Sequence, residues 1–290
     1  MFERQELFKT ENPKKVIVPP IKIQGIKTKL VPFISNNINV KPNATWYEPF
    51  MGSGVVGFNL APKNAVFGDV NPYIIDFYNQ LKDKKITPSI VREYLEIEGE
   101  KLAKTPADKN SYYYEVRNRF NREHNPLDFL FLQRSNFNGM IRFSKNGYNV
   151  PFGRKPNRFR PALITKIVNQ VENVQSLILN NNWKFVCSDW ESLVSKATAD
   201  DFIYLDPPYI GRNTDYFTSW EDEDAQKLAD YFNARPTLNY ALSMWYENKY
   251  RKNDYISAWN GHIVTNEHYY FVGGHEKNRN SIIEALIVNC

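Results

Sequence analysis

The chain has 290 residues, of which 42% are hydrophobic and 24% are charged, and its formal net charge is +5. This composition supplies a sizeable core and excludes a globally disordered chain. The two cysteines and four histidines lack the spacing of a disulfide framework or a zinc site, so no metal site is expected. The first ten residues are charged and no long apolar run occurs, which predicts a cytoplasmic protein with neither signal peptide nor membrane span.

The first part of the chain predicts the opening of a βαβ unit. An extended segment with two prolines is followed by a helix from about Lys27. A short strand is predicted at Thr45–Glu48, then a glycine loop, a helix at Val55–Leu60 and a second strand that ends near Asp69.

The middle of the chain predicts a mostly helical lobe. A capping threonine and a proline begin a helix over 87–104, and another helix covers 112–121. Residues 140–152 predict a β-hairpin, with Asn146-Gly147 as its turn signal.

Alternating helices and strands resume after this lobe. The prediction is therefore an α/β fold with a doubly wound sheet, in which 1–80 and 166–290 form one domain and 81–165 an inserted domain. The later predicted elements are helices at 162–179 and 221–233 and strands at 183–187, 202–205, 238–244 and 282–288.

Positive charge is concentrated in the end of the inserted segment. Between Asp128 and Glu172 there is no acidic residue, so this segment carries +8 and leaves −3 for the rest of the chain. A basic field interleaved with aromatic residues favours a nucleic-acid partner. A solvated surface is the alternative, although such surfaces usually mix both signs. The basic residues are Arg134, Arg142, Lys145, Arg154, Lys155, Arg158, Arg160 and Lys166.

The glycine loop E-P-F-M-G-S-G begins at Glu48, directly after the first strand. Gly52 and Gly54 let the backbone approach a ligand closely, and Gly57 stands three positions further on. A tight structural turn explains the loop equally well, but Asp69 follows at the end of the next strand. An acid there binds ribose hydroxyls in dinucleotide folds, so we expect an adenosine-type ligand. No phosphate-cradling G-x-x-x-x-G-K-[ST] motif occurs.

The stretch F-I-Y-L-D-P-P-Y predicts a strand that ends in a rigid polar turn at Asp206. The two prolines fix the backbone and lack N–H groups, so the turn offers carbonyl acceptors without competing donors. A carboxylate and a carbonyl suit a planar amino group, and Tyr209 offers a ring for the base that carries it. A proline turn with a solvated aspartate is the alternative.

These motifs resemble those of the Dam-type DNA adenine-N6 methyltransferases over most of the chain. The resemblance implies a Rossmann-like methyltransferase sheet, methyl transfer to adenine and S-adenosylmethionine as donor, with S-adenosylhomocysteine as product. The matching segments are V-P-P-I-K-I-Q-G-I-K-T-K-L-V-P (18–32), E-P-F-M-G-S-G-V-V (48–56), L-D-F-L-F-L (127–132), F-N-G-M-I-R-F (137–143), N-V-P-F (149–152), K-P-N-R-F (155–159), D-P-P-Y-I-G-R (206–212) and E-K-N-R (276–279).

The resemblance also implies residue roles. Lys27 and the loop 50–54 would approach the methionine part of the cofactor, Asp69 its ribose, and Asp189 with Trp190 its adenine. The first motif here, I-Q-G-I-K, lacks the tryptophan that family members usually place against the cofactor. The implied catalytic residues are Asp206, Pro207, Pro208 and Tyr209, and the implied cofactor residues are Gln24, Gly25, Lys27, Glu48, Pro49, Phe50, Gly52, Gly54, Asp69, Asn71, Asp189 and Trp190.

Double-stranded DNA is the expected partner. Phe137 is a candidate wedge into the base stack and Asn138 a candidate phosphate contact, while Arg142 would contact either a guanine edge or a phosphate. Lys22 would contact DNA from the catalytic side. The residues expected mainly on phosphates are Arg154, Lys155, Arg158 and Arg160. The other candidate DNA contacts are Arg134 and Asn149.

Alternatives remain open from the sequence. Relatives with this motif methylate cytosine N4 or a protein glutamine, and an inactive DNA-binding module is a further possibility. The resemblance favours the site G-A-T-A-T-C or another G-A-T site such as G-A-T-C. It predicts that the protein is a monomer. The protein would either belong to a restriction-modification system with a separate endonuclease, or be an orphan or phage methylase.

Overall fold

The computed structural model describes residues 15–209, 220–248, 250–269 and 281–289. No helix in these ranges is both long and apolar enough to cross a membrane. The helices are α1 (Val31–Asn37), α2 (Val55–Leu60), α3 (Pro72–Lys82), α4 (Pro88–Ala103), α5 (Tyr112–Glu123), α6 (Pro126–Ser135), α7 (Pro161–Asn180), α8 (Trp190–Val194) and α9 (Asp222–Asn233). The strands are β1 (Thr45–Glu48), β2 (Asn64–Asp69), β3 (Phe143–Ser144), β4 (Gly147–Tyr148), β5 (Asn182–Cys187), β6 (Phe202–Leu205), β7 (Asn239–Asn248), β8 (His262–Tyr269) and β9 (Ser281–Asn289).

Seven of these strands form one mostly parallel sheet in the order β5-β2-β1-β6-β7-β9-β8. Strands β5, β2, β1, β6 and β7 are parallel, whereas β9 is antiparallel to both β7 and β8. The chain runs from β1 towards one edge and later returns to the other side of β1 at β6. The switch point therefore lies between β1 and β6, where ligands bind in open α/β sheets.

The sheet is covered on both faces, as its apolar strands require. In β6, Phe202 and Tyr204 face one side, where both stack on Trp46 with ring centroids 5.5 and 5.7 Å away. Ile203 and Leu205 face the other side, in the core that α8 and α9 cover. This two-sided burial confirms the predicted doubly wound α/β class.

The connection from β2 to β5 contains the inserted helices α4 to α6 and the β3-β4 hairpin. Helix α4 packs on α7 and α6 packs on α3. Leu95, Tyr113 and Phe129 of the insertion belong to the same continuous core as Trp46 of the sheet. The domain boundary at 81–165 stays a prediction.

The hairpin turn lies one residue earlier than predicted. Ser144 pairs with Gly147, so Lys145 and Asn146 form the turn. Gly147 has φ +91°, and a Cβ there would lie 2.6 Å from Asn121 Oδ1. That oxygen accepts a hydrogen bond from Tyr148 N at 2.8 Å, so the glycine is needed where the hairpin docks on α5.

Candidate active site

Polar side chains follow four neighbouring parallel strands at one edge of the sheet. Glu48 ends β1, Asp69 ends β2, Asp189 follows β5 and Asp206 follows β6. The strand order places them in the sequence Asp189, Asp69, Glu48, Asp206 along this edge. The structure thus brings the glycine loop and the D-P-P-Y turn to the two sides of the switch point.

Asp69 organises the glycine loop. Its carboxylate accepts hydrogen bonds from Gly52 N at 2.9 Å and from Asn71 N at 2.8 Å. Asn71 is buried and its side chain accepts from Tyr73 N, which caps α3. Gly52 and Gly54 have φ values of +50° and +73°, so both need glycine for their backbone conformation. Burial raises the pKa of Asp69 to about 6, although these backbone hydrogen bonds act to lower it.

Gly57 completes a G-x-G-x-x-G pattern with Gly52 and Gly54, and the sequence analysis gave it no role. A Cβ at Gly57 would lie 2.3 Å from the Phe67 ring and 2.5 Å from Glu48 Oε2. This third glycine therefore lets α2 pack closely on β2 and the end of β1. It also lets Gly57 N donate to Glu48 Oε2 at 3.1 Å.

Glu48 is buried, and its Oε2 also accepts a hydrogen bond from Trp46 Nε1 at 2.9 Å. The pKa of the Glu48 carboxyl is raised to about 8, because burial and the Asp206 charge raise it more than the hydrogen bonds from Trp46 and Gly57 lower it. Near neutral pH this carboxyl is therefore mostly protonated.

We expect Glu48→Gln, which mimics the protonated acid, to remove a pH dependence of stability. Between the ordinary pKa of 4.5 and the folded value of about 8, the native protein holds a proton that the unfolded chain has released. Stability therefore falls as pH rises through this window, by up to roughly 1.4 kcal/mol per pH unit. Urea unfolding at pH 5 and pH 8 should show a smaller loss in Glu48→Gln than in wild type. Exposed Glu93→Gln is the control, and equal losses in all three proteins would contradict the assignment.

Lys27 forms an ion pair with Asp206. Its Nζ lies 2.8 Å from Asp206 Oδ1 and 3.3 Å from the Gly25 carbonyl, and the lysine side chain is 4% exposed. Burial acts to lower the pKa of Lys27, but the Asp206 charge, together with that of Glu284, raises it well above its ordinary value. Of the two carboxylate oxygens of Asp206, only Oδ1 has a hydrogen-bond partner among the described residues. The aspartate side chain is 22% exposed.

The Tyr209 side chain is held at its hydroxyl and at one face of its ring. Lys27 Nζ lies 4.9 Å from the ring centroid, and Tyr209 Oη donates to Glu284 Oε2 at 2.9 Å. Glu284 lies on β9 and is 1% exposed. The sequence analysis missed Glu284, and the only signal was one acid within an apolar strand.

A small cavity of about 30 Å³ lies behind the D-P-P-Y turn. This volume holds about one water molecule. Its walls include Pro207, Pro208, Tyr209, Trp220 and Trp245. Phe50 of the glycine loop packs edge-on against Trp220, with ring centroids 5.4 Å apart, so aromatic side chains connect the two motifs.

The remaining predicted cofactor residues have different positions. Asp189 is exposed and caps α8 by accepting from Ser192 N at 2.9 Å. The Trp190 ring is buried and packs edge-on against Tyr231 of α9. Gln24 and Gly25 are exposed, whereas Pro49 is buried.

The hairpin holds the Arg142 side chain. Arg142 Nε donates to Asn149 Oδ1 at 2.7 Å, and its Nη2 donates to the Asn149 carbonyl at 3.1 Å. In the loop before the hairpin, the Phe137 side chain is 49% exposed and Asn138 is also exposed. Asn138 has a positive φ of +56°. Asn149, predicted to contact DNA, thus orients Arg142 in this structure.

Arg134, which is predicted to contact DNA, is largely buried in this structure. It is 8% exposed and its Nη1 donates to the Pro20 carbonyl at 3.1 Å. This bond joins the lobe to the Pro19-Pro20 segment. Within the lobe, Arg158 Nε donates to the Arg134 carbonyl at 2.6 Å. Burial and the Arg158 charge lower the pKa of Arg134 to about 10.

Lys22 is partly buried beside these arginines. Burial, followed by the charges of Arg158 and Arg134, lowers the pKa of Lys22 to about 8. Arg154 and Lys155 are exposed. In the part of the chain that the structure describes, no cluster of His, Cys, Asp or Glu side chains could hold a metal ion. Residues 210–212 and 276–279, which carried part of the resemblance, lie outside the described residues.

Comparison with protein families decides the assignment. Residues 24–270 match the model of the D12 class N6 adenine-specific DNA methyltransferases. The chain belongs to this family. The match spans both the glycine loop and the D-P-P-Y turn, so the edge of the sheet described above is the candidate active site of an adenine-specific DNA methyltransferase.

Curated relatives of this methyltransferase agree with the family. Type II methyltransferase M1.LlaDCHI of Lactococcus lactis subsp. cremoris is 33% identical over 229 residues, 74% of this chain and 75% of that protein. DNA adenine methylase of Haemophilus influenzae is 32% identical over 202 residues, 68% of this chain and 65% of that protein. Type II methyltransferase M.FokI of Planomicrobium okeanokoites is 29% identical over 290 residues, 94% of this chain and 43% of that longer protein.

Proposed function

We propose that this methyltransferase uses S-adenosylmethionine to methylate N6 of an adenine flipped out of a short duplex site. The single observation that carries the proposal is the position of Asp206 and Tyr209 across the switch point from the glycine loop. The family supplies the reaction class.

The glycine loop suits the donor. Two positive-φ glycines and a partly exposed Asp69 make a turn that a nucleoside can approach, with carboxylate oxygens available to ribose hydroxyls. Gly52, Gly54 and Asp69 would hold S-adenosylmethionine, together with Phe50 and the segment of Gln24 and Gly25. The cofactor supplies an electrophilic methyl group. Asp189 would contact it at the neighbouring strand end, whereas buried Trp190 would support that loop from within.

The catalytic turn holds the target amino group. The base must leave the duplex to reach the turn. Asp206 and a proline carbonyl accept hydrogen bonds from the amino group, and Tyr209 stacks on the ring. The lone pair of N6 is delocalised into the base, and these acceptors favour the tetrahedral nitrogen that reacts. Burial raises the pKa of Asp206, whereas the Lys27 charge acts to lower it and favours the ionised carboxylate. The 2.8 Å contact of Lys27 at Oδ1 fixes this carboxylate and leaves Oδ2 for the substrate.

The base has two ways to reach the turn. The cavity of about 30 Å³ behind Tyr209 is far smaller than the roughly 300 Å³ or more of a typical ligand pocket. The base therefore either binds on the open side of the turn or displaces the aromatic side chains there. A cytosine N4 or glutamine substrate would use the same clamp, but the basic lobe and the adenine-specific family favour adenine in DNA.

Two experiments test this function. Tritiated methyl incorporation from S-adenosylmethionine into plasmid DNA, with digestion to nucleosides, should give N6-methyladenine. N4-methylcytosine, labelled protein or no label would each overturn the proposal.

Duplexes containing G-A-T-A-T-C, G-A-T-C or a scrambled site should show which site the protein prefers. Sedimentation checks the proposed monomer, and a neighbouring endonuclease gene would indicate restriction-modification.

We expect Arg142→Ala to relax the recognised sequence. A bidentate arginine contact to guanine favours the correct base over a wrong one by roughly 1–3 kcal/mol. This corresponds to an affinity ratio on the order of tenfold to hundredfold between cognate and altered sites. Arg154→Ala, which removes an exposed cation outside the hairpin, should weaken all duplexes equally and reduce the salt dependence. Methylation rates on single-base variants of the preferred site provide the measurement. If Arg142→Ala weakens every duplex equally, the arginine contacts a phosphate instead.

A further inference from the structure

Glu284 is the one charged side chain in an otherwise apolar stretch of strand β9, residues 282–288. It lies in the middle of β9, opposite Trp245 of β7 and Asn266 of β8. Ala285, Leu286 and Ile287, which follow it, are all buried. A side chain of this kind is rarely 1% exposed unless it is paired, because removing its charge from water costs several kcal/mol.

The carboxylate reaches the catalytic turn from the far side of β7. Glu284 Oε2 accepts the Tyr209 hydroxyl at 2.9 Å, across 75 residues of sequence. Tyr209 itself follows the two rigid prolines, so its backbone is fixed while its side chain keeps two torsions. A hydrogen bond at the hydroxyl, the end of the ring furthest from the backbone, limits both torsions.

The same carboxylate acts on Lys27. Asp206 is its direct partner at 2.8 Å, and the negative charge of Glu284 also helps to keep the buried ammonium protonated. Lys27 Nζ in turn lies 4.9 Å from the Tyr209 ring centroid. Glu284 thus fixes one end of the ring directly and stabilises the cation beside it.

We propose that Glu284 is a positioning residue that holds the Tyr209 ring in the orientation needed to stack on the target base. This inference rests on the proposed function, because it assigns to Tyr209 the contact with the flipped adenine. Glu284 acts through Tyr209 and does not itself touch the substrate.

Two roles of Glu284 are separable by substitution. Glu284→Gln keeps the side-chain length and an acceptor oxygen for Tyr209 but removes the charge. Glu284→Ala removes both, and Tyr209→Phe removes the hydroxyl but keeps the ring. Glu267→Gln is the matched control, because this exposed glutamate of β8 pairs with Ile283, next to Glu284 on β9.

Single-turnover methylation is expected to show that the hydrogen bond matters. Glu284→Ala and Tyr209→Phe should each lower the single-turnover rate constant by roughly tenfold to hundredfold, as expected for losing a hydrogen bond to a charged group. In steady-state assays the loss should appear in kcat, with KM for DNA little changed. The double variant should be no slower than either single variant, because both remove the same contact. Glu284→Gln should recover most of the rate and Glu267→Gln should match wild type. Additive losses in the double variant, or a Glu284→Gln as slow as Glu284→Ala, would overturn the proposal.

A second readout does not depend on activity. In protein labelled with ¹³Cζ-tyrosine, the Tyr209 resonance is identified by its loss in Tyr209→Phe. It should shift in Glu284→Ala, shift less in Glu284→Gln and stay in place in Glu267→Gln. An unchanged resonance in Glu284→Ala, in a folded protein, shows that Glu284 does not hold the ring. If wild type transfers no methyl group to adenine, the proposed function fails, and this resonance alone then decides whether Glu284 positions Tyr209.

Discussion

Asp206→Ala is expected to lower the rate of methyl transfer by roughly 10³-fold or more while DNA binding largely survives. The variant removes the carboxylate that accepts hydrogen bonds from the amino group. No neighbouring described carboxylate takes its place, because Glu48 is buried and accepts from Trp46 and Gly57, and Glu284 is buried and accepts from Tyr209. The measurement is single-turnover methylation of the preferred duplex, with fluorescence anisotropy to follow DNA binding.

The ion pair with Lys27 requires a structural control. Removing Asp206 leaves an ammonium that is 4% exposed without its partner, and breaking a buried pair costs roughly 3–5 kcal/mol. Asp206→Asn keeps the shape and one acceptor, so its rate should fall nearly as far with a smaller loss of stability. Asp200→Ala is the matched control, because Asp200 forms a pair of the same length with Lys41 at the exposed surface.

Three outcomes separate the possible roles of Asp206. Near-normal turnover in Asp206→Ala would refute the amine-clamp assignment. Loss of DNA binding together with activity, in a protein that unfolds at lower urea concentration, would make the aspartate structural. Loss of the rate alone, with Asp200→Ala unchanged, would support the catalytic assignment.

The sequence predicted most of the sheet because its signals are local. The strand Phe202–Leu205 and the helix Val55–Leu60 have the predicted bounds, since apolar runs and glycine turns determine them within a few residues. Helix α3 was missed although Asn71 and Pro72 form a cap and a first helical position. Strand β8 was missed because its many polar residues, H-I-V-T-N-E-H-Y, give no continuous apolar run; its partner β9 determines its place.

The site was predictable in its motifs but not in its contacts. Asp69 and Asp206 were found because each follows a strand, and parallel strands place such residues at one edge. The pair between Lys27 and Asp206 joins residues 179 positions apart, and no local pattern encodes it. The bond from Tyr209 to Glu284 depends likewise on β9 lying beside β7. The burial of Arg134 was not predictable from its basic neighbours, because it follows from the packing of helix α6, whose residues 128–135 are all buried.

A partly buried ionic cluster around Arg119 of α5 joins the inserted helices, with the Arg119 side chain 31% exposed and its carboxylate partners buried. Its Nη2 lies 2.8 Å from Glu98 Oε2 of α4 and 2.5 Å from Asp128 Oδ1 of α6, and its Nε donates to Asp128 Oδ2 at 2.9 Å. Tyr94 and Tyr112 donate to Asp128 and Glu98 respectively. Burial acts to raise the pKa of Glu98, but hydrogen bonds from Lys101, Arg119 and Tyr112 lower it overall.

Arg119→Met is therefore expected to destabilise the protein by roughly 3–5 kcal/mol, because it leaves two carboxylates without their central cation. The side chains of Glu98 and Asp128 are 6% and 1% exposed, so water does not replace the lost partner. Arg122→Met on the same helix is the control: its pair with Glu123 is 3.7 Å long and exposed, and its loss should cost at most about 1 kcal/mol. Urea unfolding at neutral pH measures both.

The triple variant Arg119→Met, Glu98→Gln, Asp128→Asn distinguishes an ionic cluster from simple packing. Removing the two carboxylate charges together with that of Arg119 leaves no uncompensated charge in the cluster, so the triple variant should recover much of the loss. If it is as unstable as Arg119→Met, the arginine acts through its packed stem and not its charge. Because Asn121 of the same helix holds the hairpin backbone at Tyr148, Arg119→Met should also weaken DNA binding before the sheet unfolds. Arg122→Met should not have this effect if the cluster positions the hairpin.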